Sequence, residues 1–283
     1  VLRVPQHGDG AAGKGNFLVF WIPRVAWPPV FWKTAWPPRR AARRVLGGGN
    51  NPAEKKAPAA VTADAEPRTQ AGLARLWLDC LLAMPWNKLY RTDLAKQLQF
   101  DVQYTLGEDL QFVLDYIALL GQTVPEFGYR VMTSPLTFYD CSRGGTLSTR
   151  YHANYCDIWP KHFAKLNAAC HAAACPAEDM RPLHRAELQV FAEGVADIMR
   201  RDPSPTQRLK GYKAEAALRS PWLRALLERM KIEHCYSAYY LPCRWRNVGL
   251  VCRVDEARRA NAPLYGKLDW AGYYLLLGKM KRD

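Results

Sequence analysis

The sequence predicts an α/β arrangement in its middle part, followed by a mostly helical C-terminal region. Three observations carry that reading. Leu73, Leu76, Trp77, Cys80, Leu81 and Met84 recur at helical spacing, as do Phe112, Val113, Tyr116, Ile117 and Leu120. Residues 123–132 and 134–139 are rich in aromatic and branched residues between turn signals, and read as strands. Beyond Thr149, apolar stripes punctuated by prolines predict helices over about 150–173, 177–200, 205–217, 220–233 and 264–281.

The first helix is expected to run from near Leu73 to Met84, with Pro85 ending it. Gly107 can turn the backbone, and Glu108 and Asp109 then open a helix to about Leu120, with Gly121 as its C-cap. Acidic residues in a first turn are favoured by the exposed N–H groups and the helix dipole. Pro176, Pro203, Pro205 and Pro221 lie near helix starts, where a missing N–H costs little. The last helix carries Leu268, Tyr273, Leu275 and Leu276 with Lys267, Lys279 and Lys281. It reads either as a docked terminal helix or as one lying on an anionic membrane surface.

Residues 1–68 differ from the rest. Trp, Pro, Arg and Gly dominate, and neither the helical nor the strand period persists. Dense prolines break both elements. This segment is expected to be an irregular basic arm, with 47–68 as a flexible linker. The expected organisation is therefore 1–68 as an arm, 69–150 as a first domain, and 151–283 as a helical region.

The formal net charge is +14, and half of it lies in residues 1–70, which hold eleven Lys or Arg and four Asp or Glu. That balance favours polyanionic partners, whether nucleic acid, anionic lipid or a nucleotide diphosphate. Eight cysteines in 283 residues do not form a disulfide framework, and reduced thiols are expected. Cys170 and Cys175, with His162 and His171 nearby, lack the paired spacing of zinc sites, so no metal site is assigned. Prolines and basic residues interrupt the apolar stretch 16–36, and no transmembrane helix or signal peptide is read.

Two polar clusters stand where packing does not ask for them: Trp86-Asn87-Lys88-Leu89-Tyr90-Arg91, and Gly107-Glu108-Asp109-Leu110 followed by Phe112. With Phe100, Tyr129-Arg130, the run Leu136 to Tyr139 and the run Gly145 to Ser148, they resemble the second half of the catalytic domain of family 2 glycosyltransferases. The resemblance covers about 71–151. It implies an incomplete GT-A-like acceptor-side half, followed by the helical region. It further implies an inverting enzyme that moves a sugar from a nucleotide-sugar donor to a saccharide or lipid-linked acceptor in cell-surface polysaccharide synthesis. Such an enzyme would be cytoplasmic, or peripheral at the inner face of the membrane.

By this resemblance Asp109 holds the general-base position, with Glu108 in support. Lys88 would approach phosphate or acceptor hydroxyls, Asn87 would order the turn, and Trp86 would pack or stack on a sugar face. Tyr139, Arg143 and Ser148 match places that close over donor or acceptor. For Arg91 plain surface charge is the preferred reading. The family uses a divalent cation, Mg or Mn, on an Asp-X-Asp motif, yet no such triplet precedes Trp86. The chain by itself is therefore expected to be truncated and to transfer no sugar. The competing reading is a basic helical module for nucleic acid or an anionic membrane surface, without specific nucleic-acid recognition.

Overall fold

A computed structural model describes residues 17–18, 25–26, 44–49, 68–85, 88–101, 104, 106–124, 126–132, 138–139, 150–261 and 263–280. The chain divides into two compact units. The first comprises residues 1–149 and 165–176, the second residues 150–164 and 177–283. Residues 1–68 and 69–149 thus fall in one unit. Helix dominates the described residues, and the strands are few and short.

Among the described residues the first unit contains seven strands: β1 (Phe17–Leu18), β2 (Val25–Ala26), β3 (Arg44–Gly49), β4 (Arg68–Thr69), β5 (Tyr90–Arg91), β6 (Gly128–Met132) and β7 (Phe138–Tyr139). Strand β6 is central to a mixed sheet, parallel to β3 and antiparallel to β4. Strands β1–β5 and β2–β7 form separate antiparallel pairs. Three strands therefore come from the segment expected to be irregular. Two-residue ladders leave no alternation to detect. Gly47, Gly48 and Gly49 in β3 carry the composition of a linker while their backbones pair with Arg130, Val131 and Met132.

Its helices are α1 (Leu73–Leu78), α2 (Thr92–Ala95) and α3 (Glu108–Thr123). Helix α1 ends well before Pro85, correcting the expected span. Cys80 adopts a left-handed backbone with φ 57°, its N–H donates to the Trp77 carbonyl, and the Leu81 N–H donates to the Leu76 carbonyl. Buried Leu76 and Leu81 complete this Schellman closure. Gly121 lies inside α3 rather than capping it, and β6 begins at Gly128 rather than Thr123. Leu73, Leu82, Leu110, Val113, Leu120 and Tyr129 are buried in this unit. The Tyr129 hydroxyl donates to the Gly72 carbonyl at 3.0 Å. A Cβ on Gly72 would lie 2.1 Å from that hydroxyl oxygen, so only glycine admits the contact.

Helix α4 (Tyr155–Ala172) gives residues 155–164 to the second unit and 165–172 to the first. The second unit continues with α5 (Ala177–Arg201), α6 (Gln207–Leu218), α7 (Pro221–Ile232), α8 (Tyr240–Arg244), α9 (Val248–Arg259) and α10 (Pro263–Met280). Five of these helices lie where periodicity placed them, and α8 and α9 were not expected. Side chains cap three starts: Thr206 accepts from the Leu209 N–H, Ser220 from Leu223, and Asn247 from Leu250. Leu188, Phe191 and Val195 of α5 pack with Leu223, Leu226 and Met230 of α7 and Val251 of α9. Leu268 of α10 packs against this core while Trp270 is exposed. Among the described residues no helix is long and apolar enough to cross a membrane.

Candidate functional site

The start of α3 gathers the polar residues of both clusters that the structure describes. Gly107 makes the turn with φ 79°, in the left-handed region that glycine enters without a Cβ penalty. Its carbonyl accepts the Gln111 N–H at 3.1 Å, and Glu108 and Asp109 occupy the first helical turn. An aromatic group fixes this end of the helix. Tyr90 meets Tyr116 edge-on at 4.8 Å and Phe112 at 5.8 Å, while Phe100 stacks on Phe112 at 4.5 Å. The Tyr116 hydroxyl accepts the Arg91 N–H at 2.9 Å, tying β5 to α3. On the far side of α3, Lys165 pairs with Asp115 at 2.6 Å and donates to the Gln111 side chain at 2.8 Å.

Lys88 is buried, and its ammonium donates to the Met84 carbonyl at 2.5 Å. Burial holds its pKa well below the ordinary lysine value, while the charge of Asp109 pulls it back up. Asp109 shows the mirror image. Burial raises its carboxyl to about 7, the neighbouring Glu108 raises it too, and Lys88 lowers it. Its Oδ1 is shielded from water and has no hydrogen-bond partner. Burial also pushes the Tyr90 phenol up, with smaller contributions from Tyr116 and Asp109. Burial thus disfavours the charged form of each group, and the opposite charge of the other partly offsets it.

Lys88, Glu108 and Asp109 are thus brought together. Tyr139 lies in β7 opposite Val25. Trp86, Asn87, Arg143 and Ser148 lie outside the described residues. The Arg91 guanidinium pairs with Asp93 at 2.5 Å. Sequence reasoning missed the Met84 carbonyl as the partner of Lys88 and the lysine from α4 that braces α3. Neither leaves a pattern in the chain.

Among the described residues one group has three metal-type ligands, and it lies in the second unit. His184 Nδ1, a Glu233 oxygen and Cys235 Sγ lie within 4.8 Å of one another. His184 Nδ1 is 2.6 Å from Glu233 Oε2, its Nε2 is 3.4 Å from Arg229, and the Cys235 thiol donates to Glu233 at 3.6 Å. With Arg229 donating to Nε2, the Nδ1 proton goes to Glu233, so hydrogen bonding already accounts for the cluster. No comparable trio surrounds Asp109 among the described residues.

No family model and no curated protein matches this chain. Among solved structures, S. aureus TarS 1-349 in complex with UDP-GlcNAc is similar at 15% identity, over 88% of this chain and 69% of that chain, with a TM-score of 0.46. Similarity at that level assigns no role to any residue.

Proposed function

We propose that residues 69–150 are the acceptor-side half of a family 2-like, GT-A-type glycosyltransferase and that Asp109 is its general base. The observation that carries this reading is the Asp109 carboxyl, raised to about 7 with Oδ1 buried and unpartnered at a helix start. In the proposed step an acceptor hydroxyl gives its proton to the Asp109 carboxylate. The hydroxyl oxygen attacks the anomeric carbon of a nucleotide-sugar. The bond from that carbon to the nucleoside diphosphate breaks, with inversion. A base is most effective when its pKa lies near the working pH, since it must be ionised to accept and basic enough to take the proton. Lys88 would orient the carboxylate and stabilise its ionised form, and Glu108 would keep its affinity for the proton high. The acceptor is read as a saccharide or lipid-linked hydroxyl in polysaccharide assembly at the cytoplasmic face of a membrane.

The proton transfer itself requires no cation. The departing diphosphate does require positive charge, and loss of one such electrostatic contact costs ~10²–10³ in rate. The chain by itself is therefore expected to turn over little or no nucleotide-sugar.

The test is a carbon-detected NMR titration of Asp109 in the full chain, alongside diphosphate release from UDP-, GDP- and dTDP-sugars. Asp109 should titrate near neutrality. In any donor and acceptor combination that supports release, Asp109→Asn should fold normally and lose ~10²-fold or more. Glu108→Gln should be milder. Titration of Asp109 in the ordinary carboxylate range would sink the assignment.

A further inference from the structure

The second unit contains a basic pocket that the glycosyl-transfer reading does not use. It lies where the end of α6, the start of α7 and the turn after α8 meet, with a volume of about 370 Å³. Arg219, Arg224, Arg244 and Arg246 line it, and Glu228 is the one acidic lining residue. Arg244 pairs with Glu228 at 2.9 Å, and Arg219 reaches Glu215 at 3.5 Å. Arg224 and Arg246 are exposed and have no acidic partner among the described residues. Two of the four lining arginines are thus paired with carboxylates, and the charges of Arg224 and Arg246 stand uncompensated in a concave site, where like charges repel unless a ligand or counterion neutralises them.

Two further features act in the same direction. Ser220, the cap of the twelve-residue helix α7, also lines the pocket, so the positive end of that helix contributes to the field. Arg246 sits in a closed turn, with φ 55°. Its N–H donates to the Cys243 carbonyl at 3.0 Å, and the Asn247 N–H donates to Pro242 at 2.9 Å. The base of its side chain is therefore fixed rather than free to swing away. Arginine forks accept carboxylate or phosphate oxygens in pairs. One carboxylate would leave half of the excess charge uncompensated, whereas a phosphate monoester or diphosphate brings two or more charges on clustered oxygens.

We propose that this pocket binds a phosphate monoester or diphosphate group, gripped by Arg224 and Arg246. The chemistry is the same whether the group belongs to a soluble phosphorylated metabolite or to a lipid headgroup, and two probes separate these sources. Inorganic pyrophosphate is titrated into the full chain by calorimetry. Phosphatidylcholine vesicles containing phosphatidic acid are tested by co-sedimentation. Pyrophosphate binding in the micromolar to millimolar range assigns a soluble ligand, and capture by phosphatidic acid vesicles alone assigns a headgroup. In either case the Arg224→Gln, Arg246→Gln double variant should weaken binding by roughly tenfold or more, and added salt should weaken it further. Arg208→Gln is the control, because that exposed arginine stacks on Tyr212 and does not line the pocket. The proposal fails if neither probe binds at millimolar concentration, if the double variant binds like the wild type, or if Arg208→Gln weakens binding equally. Both pocket arginines are exposed, so circular dichroism should show the double variant folded. The glycosyl-transfer reading is tested on Asp109 and is untouched by either result.

Discussion

Asp255 on α9 is buried and Asp109 at the start of α3 is partly buried with its Oδ1 shielded from water, one in each unit, and they differ in what meets their oxygens. Asp255 is fully buried. Its Oδ2 accepts from Arg200 at 2.5 Å and Arg259 at 2.8 Å, and its Oδ1 from Arg258 at 3.2 Å and Tyr239 at 3.4 Å. Burial pushes its carboxyl up, but hydrogen bonds from Arg200 and Arg259 outweigh that and hold it below the usual range. Asp109 has a single opposing charge in Lys88, a like charge in Glu108 and one oxygen with no partner, so burial prevails. Withdrawal from water therefore does not set the state of a carboxylate; the number and sign of its partners do. The first arrangement ties helices together, and the second leaves a carboxyl whose charged form is disfavoured.

The comparison breaks most visibly at Asp255. Asp255→Ala leaves three arginines facing one another, and breaking such a buried network costs about 3 kcal/mol or more. Urea unfolding of the full chain measures this loss, and a change below about 1 kcal/mol would mean that the arginines are satisfied by solvent. Because the folded pKa is depressed, the contribution is present above the unfolded value near ~3.9 and fades as pH falls through the folded value. Asp255→Asn should therefore flatten the acid limb of the stability profile.

Asp109 should show the opposite sign. Its folded pKa is raised, so its contribution is greatest below the unfolded value and is lost as pH rises through about 7. Relative to the wild type, Asp109→Asn should gain on the order of 2 kcal/mol between about pH 5 and about pH 8, after allowance for partial solvent screening. Parallel stability profiles for the two proteins would place Asp109 in ordinary solvent.

The smallest effect sharpens the coupling within the site. Lys88→Met removes the one charge that pulls Asp109 down, so the Asp109 carboxyl should titrate above about 7, higher by roughly one pH unit. Stability near neutral pH should change little, because a buried amine gives way to an apolar chain of similar length. The NMR titration that locates Asp109 in the wild type reads this shift directly.

Much of the helical architecture was legible in the chain. Leu223, Leu226, Leu227 and Met230 announce α7, with Ser220 and Pro221 at its start. Gly107 followed by two acids announces α3, and the polar clusters around Lys88 and Asp109 stand out in the chain itself. These signals are local. Helical period, caps and a left-handed glycine each depend on residues within one or two turns. What required the tertiary structure was everything set by distant neighbours. Strand β3 exists because β6, some eighty residues later, pairs with its glycines. Helix α1 stops at Leu78 because Cys80 closes a turn onto buried Leu76 and Leu81, which a helical stripe running on to Met84 conceals. The protonation of Asp109 and Asp255 was equally hidden, since an aspartate carries no mark of its eventual burial or partners. Arg200 reaches Asp255 across 55 positions, and Lys88 acts on Asp109 across a turn, a strand and a short helix. Charge interactions act through space and strengthen where water is excluded, so only the folded arrangement decides which carboxylate is locked and which can take a proton.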